Sequence, residues 1–407
     1  MINGWEISPL VKVCKIGDGN HSANYPKSNE MVSEGIPFIR ANNMVNGKVS
    51  WVDLKFITPE KHAILKKGHL KEGDILFTNR GEIGKIAIVD SDFENANLNS
   101  QIAWFRCLEC LNNKFLYYFL LSPSMQNHYL VEKNGAALQQ FTIRQINEIP
   151  IPFPPLPEQQ RIVAILDEAF AAIAKAKENA ERNLRNAKEL FERYLQEVFE
   201  VKGEGWEEKP MGELATFRNG MNFTKGSKGE KIQIVGVKDF QKNFWVPFKD
   251  LEFVIIDGKL NDIDFLKEGD ILSVRSNGNP ELIGRTLLAG RVEGKVSHSG
   301  FTIRIRLNNK DILPIFLCSY LKTQKARKEL VDSGNGVGIK SLNQGSLSSI
   351  LIPIPKSLIE QQAILQKLDA LSEETKKLEA IYQQKINDLE EMKKSILQKA
   401  FSGELTK

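Results

Sequence analysis

Residues 149–160 read Ile-Pro-Ile-Pro-Phe-Pro-Pro-Leu-Pro-Glu-Gln-Gln, and residues 350–362 repeat the pattern as Ile-Leu-Ile-Pro-Ile-Pro-Lys-Ser-Leu-Ile-Glu-Gln-Gln, with one inserted residue at Ser357. Each copy opens a long segment with helical periodicity, and both segments end in a similar Leu-Gln-x-x-Phe sequence followed by a glycine. A repeat spacing of about two hundred residues is too long for a solenoid. The sequence therefore predicts a duplicated unit made of one globular domain and one helix.

Two further matches fix the limits of the duplicated unit. The sequence Leu-Lys-Glu-Gly-Asp-Ile-Leu occurs at residues 70–76 and again at 266–272, and Gly-Trp-Glu occurs at 4–6 and at 205–207. We therefore predict four consecutive parts in the chain. They are a first domain at 1–155, a first helix at 156–202, a second domain at 203–355 and a second helix at 356–407.

The two helical segments predict a pair of long amphipathic helices. Apolar residues recur in steps of three and four, with charged residues on the remaining faces, which is the pattern of an α-helix with one apolar stripe. Forty-odd residues at about 1.5 Å each would make a rod on the order of 60 Å long. Because the first helix must lead from domain one to domain two, the second can pair with it only by running back. The duplication thus predicts an antiparallel coiled coil with approximate twofold symmetry; the alternative is that each helix packs on its own domain.

Each domain shows short apolar runs bounded by Gly, Asp or Asn, which are typical of strands. In the first domain they lie at 35–40, 74–78, 85–89 and 102–106, and in the second at 232–237, 270–274, 285–289 and 301–307. Short helices are expected at 114–121 and 315–322. The fold class predicted is α+β, with two similar mixed α/β domains joined by the two long helices.

The two halves differ most just after the shared Gly-Asp-Ile-Leu sequence, where both continue into polar loops rich in Arg, Asn and Ser or Thr. Such side chains have the donors and acceptors needed to contact base edges, Arg with guanine and Asn or Gln with adenine. For each residue alone, a solvated loop position is the competing interpretation. The candidate DNA-binding residues are Arg40, Asn42, Asn43, Thr78, Asn79, Arg80, Gln101, Gln139, Gln140, Lys238, Gln241, Arg275, Asn277, Asn279, His298 and Lys340.

Composition narrows the class of protein. The net charge is +4, and this excess lies in residues 203–355, where 22 Lys and Arg accompany 18 Asp and Glu; alone it indicates nucleic-acid binding only weakly. Four cysteines and the absence of an apolar leader favour a cytoplasmic setting, and no apolar run is long enough for a membrane span. Cys107 and Cys110 have zinc-like spacing, but no second ligand pair accompanies them, so we predict no metal site.

Motifs of catalysis and cofactor binding are missing from the sequence. No glycine-rich loop ends in Gly-Lys-Ser or Gly-Lys-Thr, and the glycines at 334–338 do not follow a strand. The sequence also lacks a nucleophile elbow and the Asn/Asp-Pro-Pro-aromatic site of an adenine methyltransferase. We therefore expect a chain that is not an enzyme and that binds no cofactor itself.

With this arrangement the chain resembles the specificity (S) subunit of type I restriction-modification systems. The resemblance rests on the two Ile/Pro-rich sequences ending in Glu-Gln-Gln, the Gly-Asp-Ile-Leu motifs with a nearby Ile-Gly, the glycines near 135 and 336–338, and the Phe-x-Gly at 401–403. It implies two target-recognition domains that alternate with two spacer helices. It also implies a non-catalytic platform that reads an asymmetric bipartite DNA sequence, one half-site per domain, with a gap set by the length of the helices.

The resemblance further implies the partners. They are double-stranded DNA, two methyltransferase (M) subunits that modify adenine and, through them, the restriction-translocation (R) subunits, with S-adenosylmethionine, ATP and Mg bound by the partners. Candidate partner-binding residues are Glu158, Gln159, Gln160, Glu360, Gln361 and Gln362. The alternative function is a coiled-coil scaffold whose end domains bind proteins instead of DNA.

Overall fold

The computed structural model describes residues 4–20, 24–131, 140–224, 226–241, 243–258, 260–308, 310–332 and 341–405. Its contacts divide the chain into two compact units. Unit 1 comprises Met1–Glu181 and Gln384–Lys407, and unit 2 comprises Arg182–Gln383. Unit 1 is therefore discontinuous in sequence, because the end of the last helix belongs to it.

The first half of the chain alternates short strands and short helices before one long helix. Its strands are β1 Glu6–Pro9, β2 Cys14–Asp18, β3 Ile36–Ile39, β4 Met44–Val45, β5 Lys48–Val49, β6 Lys55–Ile57, β7 Ile75–Thr78, β8 Ile86–Ile88, β9 Asn97–Leu98, β10 Ile102–Cys107 and β11 Pro150–Phe153. Its helices are α1 Leu10–Val13, α2 Pro59–Ile64, α3 Asn113–Leu121, α4 Pro123–Val131, α5 Ile143–Asn147 and α6 Leu156–Val201.

The described residues of the second half follow the same order, but without counterparts of β4, β5 and α2. Its strands are β12 Glu207–Pro210, β13 Ala215–Asn219, β14 Glu230–Val235, β15 Glu252–Ile256, β16 Ile271–Val274, β17 Thr286–Leu288, β18 Val296–His298, β19 Thr302–Leu307 and β20 Leu351–Ile354. Its helices are α7 Met211–Leu214, α8 Pro314–Leu321, α9 Gln324–Asp332, α10 Gln344–Ser348 and α11 Leu358–Phe401. Every predicted strand and short helix is confirmed within about two residues, the usual uncertainty of an element's ends.

Strand β7 shows why the Gly-Asp-Ile-Leu motif occurs in both halves. In unit 1 the main sheet has the order β2-β10-β7-β8-β5-β4, and a second sheet has the order β6-β3-β9. Ile75 and Phe77 of β7 pack with the core that includes Phe115, whereas Leu76 packs with the core that includes Ile39. A strand buried on both faces needs a continuous apolar run. Strand β16 repeats the arrangement in unit 2, where adjacent residues again enter different cores.

The aspartate of the same motif anchors a neighbouring strand. Asp74 and Asp270 are each 1% exposed, and each accepts hydrogen bonds from an arginine, Arg106 on β10 and Arg306 on β19. Each carboxylate also accepts from a backbone N–H three residues earlier. A buried carboxylate is tolerated because its charge and its lone pairs are satisfied in this way.

Helices α6 and α11 lie side by side and antiparallel in unit 1. Lys393 Nζ lies 5.2 Å from the ring centre of Phe170, and about two turns further along α6 Lys177 forms an ion pair with Glu390. The opposite directions of these pairings establish the antiparallel orientation. In unit 2, the end of α6 and the beginning of α11 enter a shared core, in which Leu195 and Phe199 accompany Leu365 and Leu368.

The packing of the helices confirms the predicted fold class. The last turns of α11 fill the core of unit 1, where the ring of Phe401 lies 5.2 Å from that of Phe115. In unit 2 the last turns of α6 do the same, with Phe199 5.1 Å from Phe316. Each unit therefore uses parts of both helices, and the alternative in which each helix packs only on its own domain is wrong.

Candidate nucleic-acid interface

The candidate residues of unit 1 follow strands whose ends lie side by side. Strands β7 and β10 are antiparallel, so the end of β7 lies beside the start of β10. Strands β3 and β9 are parallel, so their ends lie side by side. Backbone hydrogen bonds from Asn79 N to Gln101 O and from Asn99 N to Ile39 O, both 2.9 Å, join the loops at this edge. The fold therefore brings three loops that are far apart in sequence to one surface.

We define the tip surface of unit 1 as Arg40, Asn42, Arg80, Gln101 and Gln140. Arg80 and Gln140 form a backbone bridge. When the side-chain amide of Gln140 is oriented with its oxygen towards Arg80, that oxygen accepts hydrogen bonds from Arg80 Nε at 3.2 Å and Nη2 at 3.1 Å. The side chain of Gln101 is exposed and accepts from Asn99 Nδ2 at 3.2 Å. The predicted residue Gln139 lies outside the described residues.

Thr78 and Asn79 are corrected by the structure, because both side chains are buried. The Thr78 hydroxyl donates to the carbonyl of Glu82 at 2.5 Å and accepts from the N–H of Lys85 at 2.9 Å, which closes the loop after β7. Asn79 is 2% exposed. These two residues shape the loop and are not available to contact a base.

Asn43 is also corrected. Its side chain is fully buried, where its oxygen accepts from the N–H of Arg40 at 3.1 Å and its Nδ2 donates to the carbonyl of Val52 at 3.0 Å. Arg40 is half-buried, and its Nη2 donates to the carbonyl of Asp53 at 2.8 Å. Both side chains thus stabilise the segment from 40 to 53 through hydrogen bonds. Asn42, which lies between them in the sequence, is exposed.

Unit 2 presents an equivalent surface with different side chains. Arg275 N donates to the carbonyl of Phe301 at 2.8 Å, and its own carbonyl accepts from Leu342 N at 2.9 Å; Asn79 has the same two backbone bonds in unit 1. Ser276 forms a bridge with Ser341, as Arg80 does with Gln140. We define the tip surface of unit 2 as Arg275, Ser276, Phe301 and Ser341.

The remaining candidates of unit 2 lie in neighbouring loops. Asn277 and Asn279 accept from the N–H groups two residues later, at 2.8 and 3.0 Å, so their side chains stabilise the turn that follows β16. Lys238 is exposed and forms an ion pair with Glu252, and Gln241 is exposed. The predicted residue Lys340 lies outside the described residues.

His298 is corrected because it is 2% exposed. Burial, together with the nearby guanidinium groups of Arg304, Arg218 and Arg306, lowers the pKa of His298 to about 3, so the imidazole is neutral near pH 7. Thr302 Oγ1 donates to the carbonyl of Ser299 and lies 2.9 Å from His298 Nδ1, which indicates that Nδ1 carries the hydrogen and donates to Thr302. His298 is thus part of the core.

The central glutamines of the two Glu-Gln-Gln motifs form hydrogen bonds within their own units. Their assignment as partner-binding residues is therefore corrected. Gln159 and Gln361 are fully buried. Gln159 accepts from Asn112 N at 2.8 Å and donates to the carbonyl of Cys110 at 2.9 Å. Gln361 accepts from Leu313 N at 2.9 Å and donates to the carbonyl of Asp311 at 2.8 Å. Each glutamine fastens a long helix to the segment before α3 or α8.

The other residues of these motifs lie nearer the surface. Gln160 and Gln362 are exposed, Glu158 is half-buried, and Glu360 accepts from Trp206 Nε1 at 2.7 Å. The described residues contain no cluster of three or more His, Cys, Asp or Glu arranged to hold a metal ion. None of the helices in that part of the chain is long and apolar enough to cross a membrane.

Phe301 belongs to the tip surface of unit 2, although the sequence alone did not suggest it. Its side chain is 62% exposed. A Phe at the start of an apolar strand has the same sequence pattern as a core residue, so its exposure cannot be predicted from periodicity. Its exposure is indicated by comparing the two halves, because the structurally equivalent residue of unit 1 is the polar Gln101.

Comparisons with known proteins agree with the duplicated architecture. The family described as "Type I restriction modification DNA specificity domain" matches residues 2–182 and again 203–391. The chain is 26% identical to the type I restriction enzyme StySPI specificity subunit of Salmonella potsdam and 24% identical to the EcoKI specificity subunit of Escherichia coli strain K12. Both alignments cover 99% of this chain and 89% of the relative.

Solved structures show the same fold. A chain from a study of complex assembly and conformational transition of the type I R-M system superposes with a TM-score of 0.77 at 21% identity, covering 99% of both chains. The HsdS subunit from Thermoanaerobacter tengcongensis superposes with a TM-score of 0.64 at 20% identity, covering 99% of this chain and 98% of the other. At these identities the likeness establishes the architecture alone.

Proposed function

The chain belongs to the type I restriction modification DNA specificity family, and on that basis we propose that each unit contacts one half-site of an asymmetric, bipartite DNA target. The family's role is to select a DNA sequence and to bind modification subunits. One observation carries the bipartite proposal: equivalent backbone positions in the two units present different side chains. Arg80 in unit 1 corresponds to Ser276 in unit 2, and the carbonyls of Gln101 and Phe301 accept equivalent backbone bonds.

Differences of this kind favour unlike half-sites. An arginine donates two parallel hydrogen bonds to guanine, a glutamine pairs best with adenine, and a phenylalanine can make only apolar contacts to a base edge. The strands beneath these side chains, β7 with β10 and β16 with β19, are paired in the same way in both units, and both units keep the buried Asp–Arg pair. A common frame with exchanged surface residues therefore changes the recognised bases without changing how the domain folds.

We further propose that the chain itself catalyses no reaction. The relatives it matches are specificity subunits of type I restriction enzymes, and methyl transfer to adenine requires a target base flipped into a methyltransferase pocket. In this proposal two methyltransferase subunits supply that pocket together with S-adenosylmethionine. The restriction-translocation subunits, which join through the methyltransferases, supply the sites for ATP and Mg. The assembled complex would act on DNA in the cytoplasm.

Exposed residues at the beginning of the long helices are our candidates for contacting the methyltransferases. Gln160 and Gln362 occupy equivalent exposed positions on α6 and α11, one residue after the buried glutamines that fix those helices to their domains. A partner that bound here would contact a part of the surface that is rigidly attached to the recognition domain. Such attachment is what a specificity subunit requires to place an enzyme over one half-site.

Genome-wide mapping of methylated adenines, with and without the gene, tests the proposal. We expect one bipartite motif with unlike arms to be methylated only when the chain is present together with its methyltransferase. Arg80→Ala should relax or abolish recognition in one arm and Arg275→Ala in the other, so each variant is the control for its counterpart. Unchanged methylation in the absence of the gene, or the same arm altered by both variants, would overturn it.

A further inference from the structure

Phe301 is held in an exposed position by a rigid turn. The N–H of Gly300 donates to the carbonyl of Met221 at 2.8 Å, and Thr302 N donates to the carbonyl of Ser299 at 2.9 Å. The nearest backbone atom to a Cβ built on Gly300 would be Met221 O, at 3.5 Å, so the turn packs in ordinary van der Waals contact with the segment at Met221. The backbone of Phe301 is thus fixed although most of its side chain faces solvent.

The neighbours of Phe301 are residues whose side chains can form hydrogen bonds to base edges. Its carbonyl accepts from Arg275 N at 2.8 Å and from Ser276 N at 3.3 Å, so these two residues adjoin it on the tip surface. Arg275 is half-buried, and its Nε has no hydrogen-bond partner among the described residues. An apolar ring placed beside an arginine and a serine faces whatever base edges those residues contact.

In the major groove the 5-methyl group of thymine is the apolar group on the base edges, and phenylalanine is one of the side chains that contact it. We propose that Phe301 is a specificity-determining residue of unit 2 that recognises thymine through this methyl group. The inference rests on the proposed function, because it assigns one residue and one base to the half-site of unit 2. Unit 1 has the exposed amide of Gln101 at the equivalent position, so its half-site lacks the same contact.

Replacing thymine by deoxyuridine removes only the methyl group and leaves base pairing intact, which makes it a direct probe. The experiment uses the full chain in complex with its methyltransferase subunits and duplexes that carry the mapped target. Each thymine of the unit 2 half-site is replaced in turn, and affinity and methylation rate are measured. Burial of one methyl group favours binding by about three- to fivefold, so one substitution in that half-site should reduce affinity by this factor.

Two variants complete the test. In Phe301→Ala and in Phe301→Gln, thymine and deoxyuridine should be bound equally well at that position. Phe253→Ala is the matched control, because Phe253 is 60% exposed in the same unit but lies on strand β15, outside the tip surface; this variant should discriminate like the unaltered protein. All three substitutions replace exposed side chains, so the fold of unit 2 should persist.

The outcomes separate the inference from the proposed function. Suppose that the complex methylates a bipartite target. If the unit 2 half-site contains no thymine, or if replacing each of its thymines by deoxyuridine leaves the affinity unchanged, the role of Phe301 is wrong and the proposed function stands. An effect of deoxyuridine that persists in Phe301→Ala also overturns the inference. If the complex selects no DNA sequence, the proposed function itself fails.

Discussion

Arg306 and Asp270 form a bidentate ion pair in unit 2, in which Nε and Nη2 each lie 2.6 Å from one carboxylate oxygen. Arg106 and Asp74 form the same pair in unit 1, at 2.8 and 2.7 Å. The pair ties the loop before the Gly-Asp-Ile-Leu strand to the neighbouring strand of the sheet. Its presence in both units indicates that the recurring aspartate maintains the domain frame on which the variable loops are mounted.

Removing the aspartate should destabilise the unit strongly. We expect Asp270→Asn to lower the free energy of unfolding by about 3–5 kcal/mol, because it leaves the guanidinium of Arg306 without its counter-charge in a largely buried site. Denaturant unfolding followed by intrinsic fluorescence measures the loss. Glu230→Gln is the control: it breaks the exposed pair with Lys295, which should cost less than about 1 kcal/mol. Equal losses in both variants would contradict the structural role of the pair.

The buried and exposed glutamines of the second helix should behave differently. Gln361→Ala leaves the N–H of Leu313 and the carbonyl of Asp311 without a partner, so we expect a loss of stability of roughly 1–3 kcal/mol or more. Gln362→Ala alters an exposed residue and should leave stability within about 0.5 kcal/mol while weakening association with the methyltransferase. Thermal unfolding measures the stability of each variant, and a subunit pull-down measures its association with the methyltransferase. A stable Gln361→Ala variant that fails to bind the methyltransferase, or an unstable Gln362→Ala variant, would contradict these roles.

Acid should destabilise unit 2 through His298. The pKa of this group is lowered from 6.5 to about 3, so the fold favours the neutral imidazole, and its contribution to stability is complete above pH 6.5 and is lost as the pH falls towards 3. We expect His298→Asn to remove that part of the pH dependence. As the pH falls, the free energy of unfolding of the unaltered protein should therefore decrease more steeply than that of the variant, by up to about 1.4 kcal/mol per pH unit. Unfolding curves collected between pH 7 and pH 4 provide the measurement, and parallel curves for the two proteins would contradict it.

The lengths of α6 and α11 should set the gap between the half-sites. Deleting two turns, about seven residues, from each helix removes about 10 Å of rod, close to three base-pair steps at 3.4 Å. We expect a gap shorter by about this number of base pairs and two unchanged half-sites, as read from methylated-adenine mapping. A shortened chain that selects different bases would show that the helices influence recognition itself.

Much of the fold was predictable because duplication and periodicity are local signals. The two copies of Gly-Asp-Ile-Leu and of the Glu-Gln-Gln motif located equivalent strands and helix starts, and the apolar stripes of α6 and α11 predicted their pairing. The short hairpin β4–β5 was missed, because two-residue strands carry no periodic pattern.

The candidate site was less predictable, because burial depends on contacts that are distant in sequence. Asn43, Thr78 and His298 have the donors and acceptors of a base-reading residue, yet the fold uses them internally. Phe301 shows the opposite difficulty, since it lies in the predicted strand at 301–307 and its exposure depends on contacts that the sequence does not reveal. Gln159 and Gln361 were recognised as important from their recurrence, but recurrence does not distinguish a contact within the chain from a contact with a partner.

The contact between Phe401 and Phe115 gives the chain a fixed order of assembly. A ribosome releases the segment that carries Phe115 long before it releases Phe401, so the aromatic core of unit 1 stays open while most of the polypeptide is synthesised. Unit 2 has both of its aromatic partners, Phe199 and Phe316, at an earlier stage of synthesis. The domain encoded first is therefore the one completed last, and until Phe401 is synthesised its core exposes apolar surface of the kind that promotes aggregation.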